Sequence, residues 1–200
     1  MHRKPAQTSV EINGLIADRW SPRAFAAARP VSRRDLTALL EAARWAPSCF
    51  NDQPWRFIVC DKFGDGEAWQ VALAAVAEKN RLWAHNAPVL LLAVAMHNFN
   101  HNGKPNRWAS YDTGAAALSI CLQATALGLA AHQMGGFDAD LARQSFGLPD
   151  DCTPMAMIAV GYPADAAILP EDFQAGERGE RSRAGLEQRF YAGRWGNGFE

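Results

Sequence analysis

Apolar residues along this chain occur either at helical spacing or in continuous runs. Leu36, Leu39 and Ala43 follow one another at intervals of three and four, which predicts a helix with one buried face. Ser32 stands at the predicted start of this helix, and Asp35 follows three residues later. This spacing is that of a capping box with the shorter acid, so we expect Ser32 to be the N-cap.

Continuous apolar runs predict buried strands. Residues 55–60 (WRFIVC) are rich in aromatic and β-branched side chains, and residues 88–96 (PVLLLAVAM) are apolar throughout, as in a strand covered on both faces. Residues 155–162 (MAMIAVGY) predict a last buried strand. Because helices and strands alternate, the expected class is mixed α and β. Further short helices are expected over residues 10–18, 67–79 and 141–146.

The segment from Thr113 to Phe137 contains no charged residue. Its length allows a membrane span, which needs about 20 predominantly apolar residues. Polar residues such as Gln123 interrupt it, alanine contributes little to membrane transfer, and no basic cluster flanks it. We therefore interpret it as a helix buried on all sides, followed by a turn over residues 133–138.

Composition and charge favour one folded domain over residues 1–200. The chain is 48% hydrophobic, and its 20 basic and 21 acidic residues give a net charge of −1, so no global field favours nucleic acid or an anionic membrane. The four cysteines form no CxxC pair or zinc spacing, which predicts reduced thiols in a cytoplasmic protein. The tail from about 163 to 200 lacks periodicity but keeps four aromatic residues, so we expect it to pack on another surface: Phe190, Tyr191, Trp195 and Phe199.

Several catalytic classes lack their sequence signature. The chain has no Walker loop, no GxGxxG, no GxSxG and no HExxH. His97 and His101 are four residues apart, but asparagines surround them and no third ligand is evident, so a solvated loop is favoured over a metal site. Cys49 is a candidate nucleophile without a nearby histidine, and a packed thiol is the simpler interpretation.

Two arginine clusters suggest an anion site. Arg19, Ser21 and Arg23 stand near the start of the chain, and Arg181 and Arg183 flank a serine near its end. Guanidinium groups and hydroxyls match phosphate oxygens, so the two clusters could converge on one phosphate. Solvated surface charge is the alternative on composition alone.

Two further segments favour a planar heterocycle. Asn51 and Gln53, in the polar loop that begins at Pro47, offer amides for a heterocycle edge or for hydroxyl groups. Gly135 and Gly136 allow a backbone N–H to approach a flat ligand closely.

Five segments in the same order resemble the flavin-dependent nitroreductase family. They are RWSPRAF, AARWAPSCFNDQPWRFIV, DTGAAALSICLQATALGLAAHQMGGF, the Gly-Tyr-Pro at 161–163, and the late RSR followed by GLEQRFYAGRWG. The resemblance runs from about Ile16 to Gly196. It implies an α+β, three-layer α/β/α fold with a mixed, mainly antiparallel sheet, and a homodimer whose tails pack on the partner protomer.

The resemblance also implies an FMN site lined by both protomers. Arg19, Ser21 and Arg23, with Arg181 and Arg183, would hold the phosphate, and the Pro47 loop would reach the flavin from the partner. The turn at Gly135 would present a backbone N–H to flavin N5. The implied cofactor-binding residues are Arg19, Trp20, Ser21, Arg23, Pro47, Ser48, Cys49, Asn51, Gln53, Asn80, Met134, Gly135, Gly136, Arg181 and Arg183. No metal is expected.

Three residues depart from the family pattern. Trp20 stands where many members have a second arginine, and Cys49 and Phe50 stand where small hydroxyl residues are common. The first removes a possible phosphate partner, and the other two narrow or dry the pocket. These departures bear on substrate scope more than on flavin binding.

The implied function is an FMN-dependent NAD(P)H oxidoreductase with ping-pong hydride transfer to a small nitroaromatic, quinone or enone acceptor. The cofactor carries the chemistry, which agrees with the lack of a catalytic acid or base in the sequence. Two alternatives stay open: a specialised FMN oxidase or dehydrogenase that does not use NAD(P)H, and a flavin-binding protein without turnover. The sequence does not identify the acceptor or choose between NADH and NADPH.

Overall fold

A computed structural model describes residues 4–199 of the chain. The helices are α1 (Gly14–Asp18), α2 (Arg33–Arg44), α3 (Gly66–Ala75), α4 (Glu78–Ala84), α5 (Ala109–Ala126), α6 (Ala139–Ser145) and α7 (Glu171–Arg178). The strands are β1 (Trp55–Asp61), β2 (Val89–Met96), β3 (Ala130–Met134) and β4 (Cys152–Gly161). Short 3₁₀ turns occupy Cys49–Asn51, Ala166–Ile168 and Leu186–Gln188.

The four strands form one sheet in the order β1-β2-β4-β3, and each neighbouring pair is antiparallel. At one end of the sheet Trp55 pairs with Ala95, which pairs in turn with Thr153. At the other end Ala130 pairs with Gly161. The mixed α+β class and the mainly antiparallel sheet of the sequence prediction are confirmed.

Helices cover both faces of the sheet. On β2, Leu90, Leu92 and Val94 contribute to one apolar cluster, together with residues of α3, α4 and α6. The alternate residues of β2 contribute to a second cluster, together with α2 and α5. Because side chains on a strand alternate between faces, the unbroken apolar run of β2 contributes to both clusters. The sheet therefore lies between two layers of helices, which gives the three-layer α/β/α arrangement.

The predicted start of α2 is confirmed, since Ser32 Oγ accepts a hydrogen bond from the Asp35 backbone N–H at 3.0 Å. The charge-free segment is only partly helical. Helix α5 ends at Ala126, Gly128 adopts a positive φ of 69°, and the chain then forms β3. The expectation of one helix leading directly to a turn was wrong, because pairing with β4 draws Ala130–Met134 into the sheet. Among the described residues, no helix is both long and apolar enough to cross a membrane.

Two other helix predictions need correction. The helix expected over residues 67–79 is divided, because Val76 is extended and forms a bridge with Phe137. The helix expected over residues 10–18 begins only at Gly14, where the Asn13 side chain accepts the Leu15 N–H. The tail, which lacks apolar periodicity, nevertheless contains α7.

Candidate functional site

The two arginine clusters meet in the folded chain. Arg19 follows the last residue of α1, and its Nη1 lies 3.4 Å from Ser21 Oγ. Arg181 Nη1 donates to the carbonyl oxygens of Ala17 at 2.6 Å and Lys4 at 2.8 Å. The segment around Arg181 is thus held against the C-terminal end of α1, as a shared anion site requires.

The guanidinium groups in this cluster repel one another. Burial lowers the pKa of Arg181, and the nearby charges of Arg19 and Arg183 lower it further, whereas Asp18 raises it. Neighbouring cations with a hydroxyl group beside them form a donor set suited to a phosphate dianion. The residues present therefore fit the phosphate of a cofactor such as FMN. We call Arg19, Ser21, Arg181 and Arg183 the cationic cluster.

The Trp20 ring contacts Lys4, whose backbone carbonyl accepts a hydrogen bond from Arg181 of the cationic cluster. The ring packs under the Lys4 ammonium at 4.4 Å from the ring centroid. Trp20 and Pro22 line a cavity of about 420 Å³ together with residues 163–166 and 177–178, whereas Arg19 and Ser21 do not line it.

Arg23 lies next to helix α7. Its guanidinium carbon is 5.8 Å from the ring centroid of Phe173. Its backbone N–H donates to both carboxylate oxygens of Glu177, at 2.9 and 3.1 Å, and the Ala24 N–H donates to Glu177 at 3.1 Å. Sequence reasoning missed Glu177, because it lies in the aperiodic tail far from its partners.

His132 supports the same segment from β3. Burial lowers its pKa to about 4, and the Arg23 charge contributes in the same direction. The imidazole is therefore neutral at pH 7, and its Nδ1 pairs with the Pro22 carbonyl oxygen at 2.9 Å, the ring nitrogen donating. Sequence reasoning also missed this residue, which carries no motif.

The loop after Pro47 is held in an unusual backbone conformation. Phe50, Asn51 and Gln53 have positive φ angles of 55°, 54° and 52°. Residues other than glycine rarely adopt left-handed backbone conformations, and those that do cluster at functional sites. Three such residues in one loop therefore indicate a functional constraint. Ser48 Oγ accepts the Gln53 N–H at 3.0 Å, and Gln53 Nε2 donates to the Asn51 carbonyl at 2.8 Å.

Two buried carboxylates hold this loop in place. Asp112, in the first turn of α5, accepts the Cys49 backbone N–H at 3.0 Å. Asp52 is 8% exposed and accepts the Asn100 N–H at 2.7 Å. Phe50 remains 79% exposed above this anchored loop, with its ring edge against Phe99 and His101.

The glycine turn follows β3. Met134, its last residue, is buried. Asn80 Nδ2 donates to the Gly136 carbonyl at 3.1 Å, and a Cβ at Gly136 would approach that nitrogen to 2.8 Å. Gly136 therefore permits the close approach of Asn80. A Cβ at Gly135 would meet no atom within 4 Å, so this side of the turn is open.

One chain does not bring all the predicted site residues together. The Pro47 loop precedes β1 at one edge and one end of the sheet, whereas the cationic cluster lies near β3 and the far end of β4. Along α5, Asp112 contacts the loop, and Cys121 comes nine residues later, about 13 Å along the helix axis. Burial raises the pKa of the Cys121 thiol, whereas the Gln133 side chain and the nearby Arg19 charge oppose this shift. The loop and the cationic cluster therefore lie at different ends of the sheet within one chain.

Among residues 4–199, no group of three or more His, Cys, Asp or Glu side chains is arranged to hold a metal ion. Cys60, Cys121 and Cys152 are buried free thiols, and Cys49 is half-buried.

Comparison with known proteins adds to this geometry. The model of the nitroreductase family matches residues 16–162. A curated protein of Thermus thermophilus, named NADH dehydrogenase, is 31% identical over 162 residues, covering 68% of this chain and 79% of that protein. A crystal structure described as an oxidoreductase containing FMN is 36% identical with a TM-score of 0.88, and the match covers 96% of each chain. An FMN-dependent nitroreductase from Clostridium difficile R20291 is 26% identical with a TM-score of 0.62, covering 75% of this chain and 86% of that one.

Proposed function

The chain belongs to the nitroreductase family, and from this premise we propose that it is an FMN-dependent oxidoreductase that uses NADH or NADPH to reduce a small organic acceptor. The observation that carries the proposal is the cationic cluster, in which Arg19 and Arg181 come from opposite ends of the chain and repel each other. Such a cluster is stabilised by a dianion such as the FMN phosphate.

The remaining site residues fit the other parts of the cofactor. Asn51 and Gln53 would bind the polar edge of the ring system or the ribityl chain from the partner protomer. Gly135 would offer its backbone N–H to the ring, since its open side leaves space for a flat ligand. Met134 and Asn80 would support this turn from behind, Asn80 through its bond to Gly136.

FMN, when bound, supplies two-electron hydride chemistry that no protein side chain provides. The chain itself binds the phosphate, orients the ring and leaves one ring face open to the nicotinamide and then to the acceptor. Positive charge from Arg23 and the cationic cluster would favour the anionic reduced cofactor. Phe50, with Cys49 beside it, would form a wall of the acceptor pocket and favour flat acceptors such as nitroaromatics, quinones or enones.

A homodimer is part of the proposal. Separation of the Pro47 loop from the cationic cluster within one chain supports a site built from two protomers. Within the tail, which begins at about residue 163, the part up to Arg181 packs on its own chain. The part beyond Arg183 would pack on the partner, because it exposes large aromatic side chains that would otherwise face water: Phe190 at 58%, Trp195 at 89% and Phe199 at 55%. We place the enzyme in the cytoplasm, where its free thiols would remain reduced.

Anaerobic rapid mixing of the FMN-loaded protein with NADH and, separately, NADPH tests the proposed function. We expect at least one nucleotide to bleach the visible absorbance of the flavin, and a nitroaromatic or quinone to restore it. Failure of the purified protein to bind FMN would refute the cofactor assignment. Bound FMN that neither nucleotide reduces would favour a specialised oxidase or dehydrogenase, and slow reduction by every reductant would favour a flavin-binding protein without turnover.

A further inference from the structure

Glu177 is a buried carboxylate at the centre of the junction between α7 and the segment that contains Arg23. Only 4% of the residue is exposed. Its two carboxylate oxygens accept the backbone N–H groups of Arg23 and Ala24 at 2.9 to 3.1 Å. A buried carboxylate without partners is strongly unfavourable, so these N–H groups account for its burial in the fold.

The junction connects three parts of the chain. Lys4 Nζ donates to the Glu177 carbonyl at 3.0 Å, and the Lys4 carbonyl accepts from Arg181 at 2.8 Å. The Ala24 carbonyl accepts the Ala164 N–H at 2.9 Å, so the segment is also tied to the residues that follow β4. Glu177 therefore lies where the N-terminal residues, the segment from Arg19 to Ala24, and the tail meet.

Glu177 binds the backbone of the segment that also carries Arg19 and Ser21 of the cationic cluster. Its carboxylate is occupied by N–H groups at Arg23 and Ala24, and His132 holds the Pro22 carbonyl from the opposite direction. These bonds fix the path of the backbone directly after Ser21. Arg19 and Ser21, which directly precede this anchored stretch, lie in the cationic cluster with Arg181.

We propose that Glu177 is a positioning residue that orients the phosphate-binding segment and thereby makes the site select FMN over riboflavin, which lacks the phosphate. This inference rests on the proposed function. It does not require Glu177 to touch the cofactor. The same carboxylate would repel a nearby phosphate by its charge alone, so positioning and simple electrostatics predict opposite effects when the charge is removed.

The variant Glu177→Gln separates these effects, because glutamine keeps the shape and one acceptor oxygen but directs an amide group at a backbone N–H. We expect the Kd for FMN to rise about tenfold, as the loss of a charge-assisted hydrogen bond implies. The Kd for riboflavin should change less than about twofold, since its ring contacts are unaffected. In turnover, the FMN concentration for half-maximal activity should rise in parallel, while the rate at saturating FMN stays within about twofold of wild type.

Glu180→Gln is the matched control, because Glu180 lies three residues further on, is exposed, and pairs with Gln7 at 3.2 Å. It should leave both Kd values unchanged. Glu177→Asp tests rescue, since a shorter carboxylate restores the charge and part of the hydrogen bonding, and it should bind FMN more tightly than Glu177→Gln. If Glu177→Gln folds but binds FMN as tightly as wild type, or more tightly, or weakens FMN and riboflavin equally, the inference is overturned. Failure of the wild-type protein to bind FMN would refute the proposed function instead.

Discussion

Replacing Arg19 by alanine separates the binding role of the cationic cluster from any role in stability. Burial lowers the pKa of Arg181, and the neighbouring Arg19 charge lowers it further, so the removal of Arg19 relieves a repulsion. Its own hydrogen bond to Ser21 Oγ is long, at 3.4 Å. We therefore expect the free energy of unfolding of the apoprotein to change by less than about 1 kcal/mol.

The effect on FMN binding should be much larger. A hydrogen bond between a guanidinium group and a phosphate contributes about 1.5 to 3 kcal/mol, which corresponds to a roughly 10- to 150-fold rise in Kd. At an FMN concentration 100 times the wild-type Kd, bound cofactor stabilises the wild-type protein by about 2.7 kcal/mol. With Kd raised about 30-fold, the same concentration stabilises the variant by only about 0.9 kcal/mol.

Fluorescence titration with FMN and urea unfolding with and without FMN measure both quantities. Arg29→Ala is the matched control, since it removes the same charge from an exposed arginine that packs on the Tyr162 ring, 3.2 Å from its centroid. An equal effect of Arg19→Ala and Arg29→Ala on Kd would refute the phosphate site. So would an apoprotein of Arg19→Ala that is several kcal/mol less stable, because the residue would then be structural.

Three further predictions concern other parts of the site. His132 has a pKa of about 4 in the folded state and about 6.5 when unfolded, so the unfolded chain binds more protons. Between pH 7 and pH 5 the free energy of unfolding of the wild type should therefore fall by about 2 kcal/mol more than that of His132→Asn. Equal losses of the two proteins in urea unfolding would contradict this. Asp112→Ala should lower the free energy of unfolding by about 1 to 3 kcal/mol, because the Cys49 N–H loses its acceptor, while Asp112→Asn should retain most of the stability; two variants of equal stability would argue against this contact. Phe50→Ser should raise kcat/KM for bulky quinones more than for small ones in steady-state assays, and an unchanged ratio would show that Phe50 does not limit the pocket.

Local patterns predicted the elements whose conformation depends on nearby residues. Helix α2 carries its own cap at Ser32, and the apolar run of β2 reflects burial on both faces. Strand β3 was missed because its alanine-rich start resembles the preceding helix, and only pairing with β4 makes it a strand. The break between α3 and α4 likewise depends on the bridge from Val76 to Phe137, which no local pattern indicates.

The candidate site divides in the same way. The alternation of Arg19, Ser21 and Arg23 was visible in the sequence, and the structure brings Arg19 and Ser21 to Arg181. The groups that hold this segment were not visible, because Glu177 is 154 residues from Arg23 and His132 is 110 residues from Pro22. Side chains that act on distant backbone atoms leave no spacing to recognise.

The left-handed residues of the Pro47 loop were also beyond sequence reasoning. Phe50 and Gln53 have no local preference for a positive φ, so their conformation depends on contacts to distant residues. The loop makes these contacts through the Asp52 carboxylate, which accepts the Asn100 N–H, and through the Cys49 N–H, which donates to Asp112 of α5. Carboxylates of this kind could be sought in other sequences as acids bordering an otherwise uncharged helix, as Asp112 does.

Hybrid dimers test most directly whether two copies of the chain build one flavin site. Differently tagged subunits carrying Arg19→Ala and Asn51→Ala are mixed, and dimers with one subunit of each kind are isolated and titrated with FMN. If Arg19 of one protomer and Asn51 of its partner serve the same site, each hybrid contains one site with both defects and one intact site. We therefore predict one FMN per hybrid dimer bound with wild-type affinity. Hybrids without any site of wild-type affinity, although both variants fold and dimerise, would contradict a site shared between protomers.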